Sequence, residues 1–244
     1  IEMAFKLKDV CTVFNILLSI YAVVLSFAGE LGLAAWVIFI AWFMDGLDGL
    51  IARWTKTGNP FGVHFDNQAD LFIYTVAPAF YAFAVYRETH YFLGLVICFA
   101  VIAVGCIRLS RFNVKPLIYP GFWIGYPRSA LGVHVIFLLN SKLFALYQPY
   151  VAAAVMVLVL TALNLSYLPY RNHKSKFTAF EWGVCIVCWV IWPISYFFGY
   201  FWDAALFGST VYALLPFTPL HARYREPIRR CHQLNGFSVF RQFA

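Results

Sequence analysis

Met44-Asp45-Gly46-Leu47-Asp48-Gly49-Leu50-Ile51-Ala52-Arg53 and, after eight residues, Gly62-Val63-His64-Phe65-Asp66-Asn67-Gln68-Ala69-Asp70 place four aspartates within otherwise apolar sequence. The spacing is D-x2-D-G-x2-A-R-x8-G-x3-D-x3-D. A charged side chain inside a membrane span costs roughly 2.5–3.5 kcal/mol on the insertion scale, so four cost on the order of 10 kcal/mol unless something offsets them. Four carboxylates facing one another also repel. Divalent cations between them relieve both penalties, and phosphate chemistry is the common use of such a site.

Composition sets the surroundings of this run. Of 244 residues, 62% are hydrophobic and 12% charged, against about 25% charged in a soluble domain. Long apolar stretches recur along the chain, and none shows the short two-residue alternation of a membrane barrel. The fold class read from this is all-α: a polytopic helical membrane protein with about eight transmembrane helices. The expected spans are 10–28, 32–53, 62–86, 91–113, 129–147, 149–169, 180–200 and 203–219, the last broken at its end by Pro216 and Pro219. Residues 1–244 read as a single integral-membrane catalytic domain, without repeats or a soluble domain. The segment before Cys11 carries Lys6 and Lys8 and lacks a signal-peptide pattern, so the first apolar stretch reads as a retained span behind a trimmed start.

Lys and Arg orient the spans. With the amino terminus in the cytoplasm, only Arg87 and Lys142 fall on the far side, and the other basic residues lie in cytoplasmic segments. Both termini are therefore expected to be cytoplasmic. The net charge of +7 is first a topology signal and second an affinity for anionic headgroups of the lipid bilayer. Nucleic acid is not an expected partner, because the basic residues are spread over short loops. Cys185 and Cys188 form a C-x-x-C in an apolar stretch. With no further ligands in sequence reach, they read as small buried residues rather than a zinc site.

Asp45 and Asp48 are three apart on one helix, and Asp66 and Asp70 are four apart on the next, so each pair shares a face. Thr55-Lys56-Thr57-Gly58-Asn59-Pro60 reads as the turn between two antiparallel helices. Asp48 lies five residues inside Arg53, about 7.5 Å of helix, and Asp66 lies four inside Gly62, so the carboxylates converge near the cytoplasmic membrane surface. Gly46, Gly49 and Ala52 leave room for a flat ligand or for close helix packing. Arg53 is a natural phosphate partner. His64 reads as a loop residue or as support for a neighbouring ligand.

The run resembles the signature of the CDP-alcohol phosphatidyltransferase family, at every fixed position. That resemblance implies that Asp45, Asp48, Asp66 and Asp70 hold one or two Mg2+ or Mn2+ ions. It implies that Asp48, Gly49, Ala52 and Arg53 seat the CDP part of CDP-diacylglycerol, that Asp70 is the general base, and that CMP leaves. A homodimer in the cell inner membrane, with its active site facing the cytoplasm, is also implied.

Further stretches are similar to the phosphatidylserine synthase branch of the family. They are Cys11-Thr12-Val13-Phe14-Asn15; Gln68-Ala69-Asp70-Leu71 through Val76-Ala77-Pro78; Ile107-Arg108-Leu109-Ser110-Arg111-Phe112-Asn113; and Phe122-Trp123-Ile124-Gly125-Tyr126-Pro127. Two additional C-terminal spans from about residue 180 resemble its longer members. The branch implies L-serine as the acceptor. Serine brings a carboxylate, so its site needs a cation, and Arg108 and Arg111 share a helix face with Asn113 just beyond. Arg128 departs from the branch pattern. It reads as a substrate group, a loop charge or the mark of another acceptor. The alternatives are the same transfer to choline, glycerol phosphate or inositol phosphate and, from a different class, a cation transporter. A transporter predicts acids on several distant helices, whereas the deep acids here lie in one hairpin.

Overall fold

The computed structural model describes residues 7–55, 60–114, 122–171 and 190–218; of residues 7–9, 47–55, 60 and 63 it describes the backbone path and not the side chains. The chain is mostly helical. Helix α1 (Leu7–Phe27) and helix α2 (Leu31–Thr55) form an antiparallel pair. The reversal between them is a glycine cap: Gly29 has φ +88°, its N–H donates to the Ser26 carbonyl, and the Glu30 N–H reaches back to Leu25 at 3.0 Å. Only a residue without Cβ adopts that φ cheaply.

Helix α3 (Pro60–Leu71) runs through a π segment, Phe72–Val76, into helix α4 (Ala77–Tyr86). Pro78 explains the π segment. It has no N–H to return to the Tyr74 carbonyl four residues back, so the regular ladder cannot run there. The chain widens by one residue instead, and the Ala77 N–H donates to the Phe72 carbonyl. Helix α5 (Tyr91–Val114) follows.

Helix α6 (Arg128–Asn140) is the hub. Residues Leu131 to Leu139 are all buried, and α6 packs on α2, α4, the π segment and the later helices α8 and α10. A helix apolar all round belongs in the interior. Two glycines let its neighbours close in on the π segment. A Cβ on Gly132 of α6 would lie 2.7 Å from the Tyr74 carbonyl oxygen, and one on Gly105 of α5 would lie 2.4 Å from a Thr75 side-chain carbon.

Residues 129–147, expected as one span, are two helices. Ser141 leaves helical geometry, caps the short helix α7 (Lys142–Tyr147) and accepts from the Phe144 N–H at 3.1 Å. Helix α8 (Tyr150–Asn164) stops short of residue 169, the expected end. The chain then forms strand β2 (Pro169–Arg171), antiparallel to strand β1 (Phe122–Ile124), with Trp123 opposite Tyr170. Residues 190–197, here α9, are helical, and helix α10 (Phe201–Leu214) packs on α6. An aromatic cluster of Trp36, Phe39, Phe137, Trp192, Phe201 and Trp202 joins α2, α6, α9 and α10.

Among the described residues, three helices are long and apolar enough to cross a membrane, Val10–Ala28, His64–Tyr86 and Tyr91–Val114; the apolar helices Leu31–Gly46, Arg128–Asn140 and Tyr150–Asn164 are shorter. The C-x-x-C at Cys185 and Cys188 lies outside the described residues.

Candidate active site

The acidic hairpin folds so that α2 supplies Asp45 while α3 supplies Asp66 and Asp70. One carboxylate oxygen from each of the three lies within 4.8 Å of the others. Asp66 is exposed, and Asp45 and Asp70 are half-buried, so the cluster opens to solvent on one side. The donors are all hard oxygens on rigid helices, spaced so that a small inward shift brings them round one ion. That is the donor set Mg2+ and Mn2+ take. The side chains of Asp48, Gly49, Ala52 and Arg53 lie outside the description, although their backbone continues α2 one to two turns beyond Asp45. His64 is exposed on α3.

Two groups touch the ends of this cluster. The Tyr74 hydroxyl, from the π segment, donates to Asp45 Oδ2. Arg128, the first residue of α6, places Nη2 3.6 Å from Asp70 Oδ2. The Arg128 side chain is only 14% exposed, and its Nη1 is buried without a hydrogen-bond partner among the described residues. A buried donor of that kind is costly unless a ligand satisfies it.

Arg108 and Arg111 sit differently. The Arg108 guanidinium donates to the carbonyls of Tyr126 at 2.7 Å, Ile124 at 3.1 Å, Gly125 at 3.4 Å and also Asn164. It clasps the turn between β1 and α6 to the end of α8. Gly125 is required there. Its φ is +75°, and a Cβ would lie 2.5 Å from the Asn164 carbonyl oxygen. Asn164 Nδ2 adds a bond to the Tyr126 carbonyl at 2.9 Å. Arg111 donates to the Leu165 carbonyl at 2.8 Å and lies over the Tyr167 ring. Asn113 is exposed near the end of α5. The turn is backed by Tyr126 and Tyr170, packed edge to face. Burial pushes both phenols up, Tyr170 to about 12, so they stay neutral.

Of the four residues expected at the acceptor site, the fold thus brings Arg128 onto the acidic cluster, while Arg108 and Arg111 bind backbone carbonyls. Tyr74 was not among the expected site residues. The one signal for it is its position four residues after Asp70, a same-face spacing on a helix.

Comparison with known proteins places these features. The family model described as CDP-alcohol phosphatidyltransferase matches residues 5–164. A CDP-diacylglycerol–serine O-phosphatidyltransferase of Helicobacter pylori is 27% identical over 187 residues, covering 74% of this chain and 79% of that protein. The enzyme of the same name from Methanocaldococcus jannaschii is 28% identical, covering 81% of this chain and 89% of the relative. That of Bacillus subtilis is 31% identical, covering 59% and 73%. The match spans the acidic hairpin, the Arg108 clasp and the first turn of α6, and the chain belongs to the CDP-alcohol phosphatidyltransferase family.

Proposed function

We propose that this enzyme transfers the phosphatidyl group of CDP-diacylglycerol to L-serine, giving phosphatidylserine and CMP. The observation that carries the reading is the three-carboxylate cluster with Arg128 against Asp70, in a chain similar to enzymes named for serine transfer. Asp45, Asp66 and Asp70, with Asp48, would hold Mg2+ or Mn2+. When bound, the ion neutralises charge on the diphosphate and makes its phosphorus more electrophilic. Gly49, Ala52 and Arg53 seat the CDP part.

Arg128 does two things in this reading. Before serine arrives it offsets the negative charge of Asp70. When serine enters, the Nη1 that lacks a partner takes the serine carboxylate. The bound carboxylate competes with Asp70 for the guanidinium. Asp70 is then freer to accept the proton of the serine hydroxyl as that oxygen attacks the phosphatidyl phosphorus and the bond to CMP breaks. A cation such as choline would meet Arg128 unfavourably. Arg108 contributes by holding the turn from which Arg128 projects, and Arg111 by bonding the Leu165 carbonyl just past α8.

Around this site we place about eight spans with both termini cytoplasmic. They form one catalytic domain of an inner-membrane homodimer whose active site faces the cytoplasm. The distribution of Lys and Arg supports that orientation.

Arg128→Ala is expected to raise the KM for serine by about 10–150-fold, the worth of one charge-assisted hydrogen bond, and to change that for CDP-diacylglycerol much less. Steady-state kinetics in mixed micelles, varying each substrate in turn, makes the comparison. A larger effect on the nucleotide-lipid would move Arg128 to the phosphate side. Purified protein given serine and CDP-diacylglycerol tests the reaction itself through the mass of the lipid product.

A further inference from the structure

We infer that Tyr74 is a positioning residue: its phenol fixes the Asp45 carboxylate in the orientation that lets Asp45, Asp66 and Asp70 present oxygens to one cation. The inference rests on the metal reading above.

Asp45 comes from a different helix than its two partners and is repelled by both. The Tyr74 hydroxyl donates to Oδ2, which ties the Asp45 carboxylate to the segment that follows α3. Such outer contacts are a general means of orienting metal ligands.

The phenol can do this because its ring is fixed. Tyr74 is 7% exposed and packs with Ala41 and Ile73, flanked by Leu18 and Trp42. Ala41 is one helical turn before Asp45 on α2, so the ring lies along the helix that carries its acceptor. Its own backbone is fixed as well. Pro78 imposes the π segment, Gly132 brings α6 against the Tyr74 carbonyl, and Gly105 brings α5 against Thr75. Helices α5 and α6 converge on this one widened turn. The π segment thus begins just past Asp70 and aims the phenol across to α2.

The hydroxyl is the only polar atom of the side chain, so Tyr74→Phe removes the bond and keeps the ring. Binding of Mn2+ to detergent-solubilised protein, followed by the electron paramagnetic resonance of free Mn2+, reads the site without turnover. Tyr74→Phe is expected to weaken Mn2+ binding by about 10–100-fold, with an unchanged unfolding midpoint in the absence of metal. In an Asp45→Asn background the same substitution should add little further loss, because the two side chains act as one unit. Turnover of Tyr74→Phe should recover at saturating Mn2+, a change in metal requirement more than in kcat. Wild-type affinity in Tyr74→Phe, or its full loss repeated on top of Asp45→Asn, would overturn the inference and leave the metal reading standing. Failure of the wild-type protein to bind Mn2+ would overturn the metal reading, and this inference with it.

Discussion

Asp70→Asn is expected to lower turnover by about 10²–10⁴ while binding of CDP-diacylglycerol is largely kept. The amide is nearly the same size and retains one oxygen for the cluster, but it cannot take the hydroxyl proton of the acceptor. Asp70 is the carboxylate nearest the incoming acceptor in this account, because Arg128 stands 3.6 Å from it. Tritiated CDP-diacylglycerol binding and CMP release, measured on the same preparation, separate the two quantities. If binding falls in proportion to turnover, Asp70 is chiefly a cation ligand and the base lies elsewhere. Arg128→Ala in the same assay weakens serine use, so the two variants divide proton transfer from acceptor binding.

Removal of divalent metal is expected to abolish turnover, and Mg2+ or Mn2+ to restore it. Three carboxylate oxygens within 4.8 Å of one another repel strongly, and one cation from Arg128 does not balance them. The effect should be all or nothing because the diphosphate brings further negative charge into the same space. The measurement is CMP release after treatment with excess chelator, then with graded Mg2+ or Mn2+. Full activity in chelator, with no metal in the preparation, would exclude the metal from the reaction.

The acidic hairpin was legible because its logic is local. Aspartates three and four apart share a helix face whatever the rest of the chain does, and Asp45, Asp66 and Asp70 meet in the fold; residues 56–59 of the expected turn lie outside the described residues. The helical character of the chain was legible for a similar reason, since long apolar stretches carry it, and among the described residues three helices are long and apolar enough to cross a membrane. The break at Ser141 and the early end of α8 were not. Ser141 lies between Asn140 and Lys142 within a longer apolar stretch, and its cap becomes visible only once the Phe144 N–H is seen to need it. The three-residue strands are too short to carry a pattern.

The arginines teach the same lesson at the site. Periodicity puts Arg108 and Arg111 on one face near the cytoplasmic end of α5, which reads as an anion site. Their acceptors include carbonyls at Asn164 and Leu165, more than fifty residues away. Those carbonyls end a helix whose stopping point was itself misplaced. Arg128 departs from the branch pattern in sequence and reads as a substrate group, a loop charge or the mark of another acceptor; the fold places it 3.6 Å from Asp70. Tyr74 lies in an apolar run, and its hydroxyl finds a partner 29 residues upstream.

The central claim is the identity of the transfer, and CMP release from CDP-diacylglycerol across a panel of acceptors tests it most directly. The panel comprises L-serine, choline, glycerol 3-phosphate, inositol phosphate and no acceptor, each with Mg2+ or Mn2+. The account predicts CMP release that depends on serine, with one phosphatidylserine formed per CMP. Release with another alcohol and none with serine would contradict the serine assignment, and no release with any acceptor would contradict the phosphatidyl transfer itself.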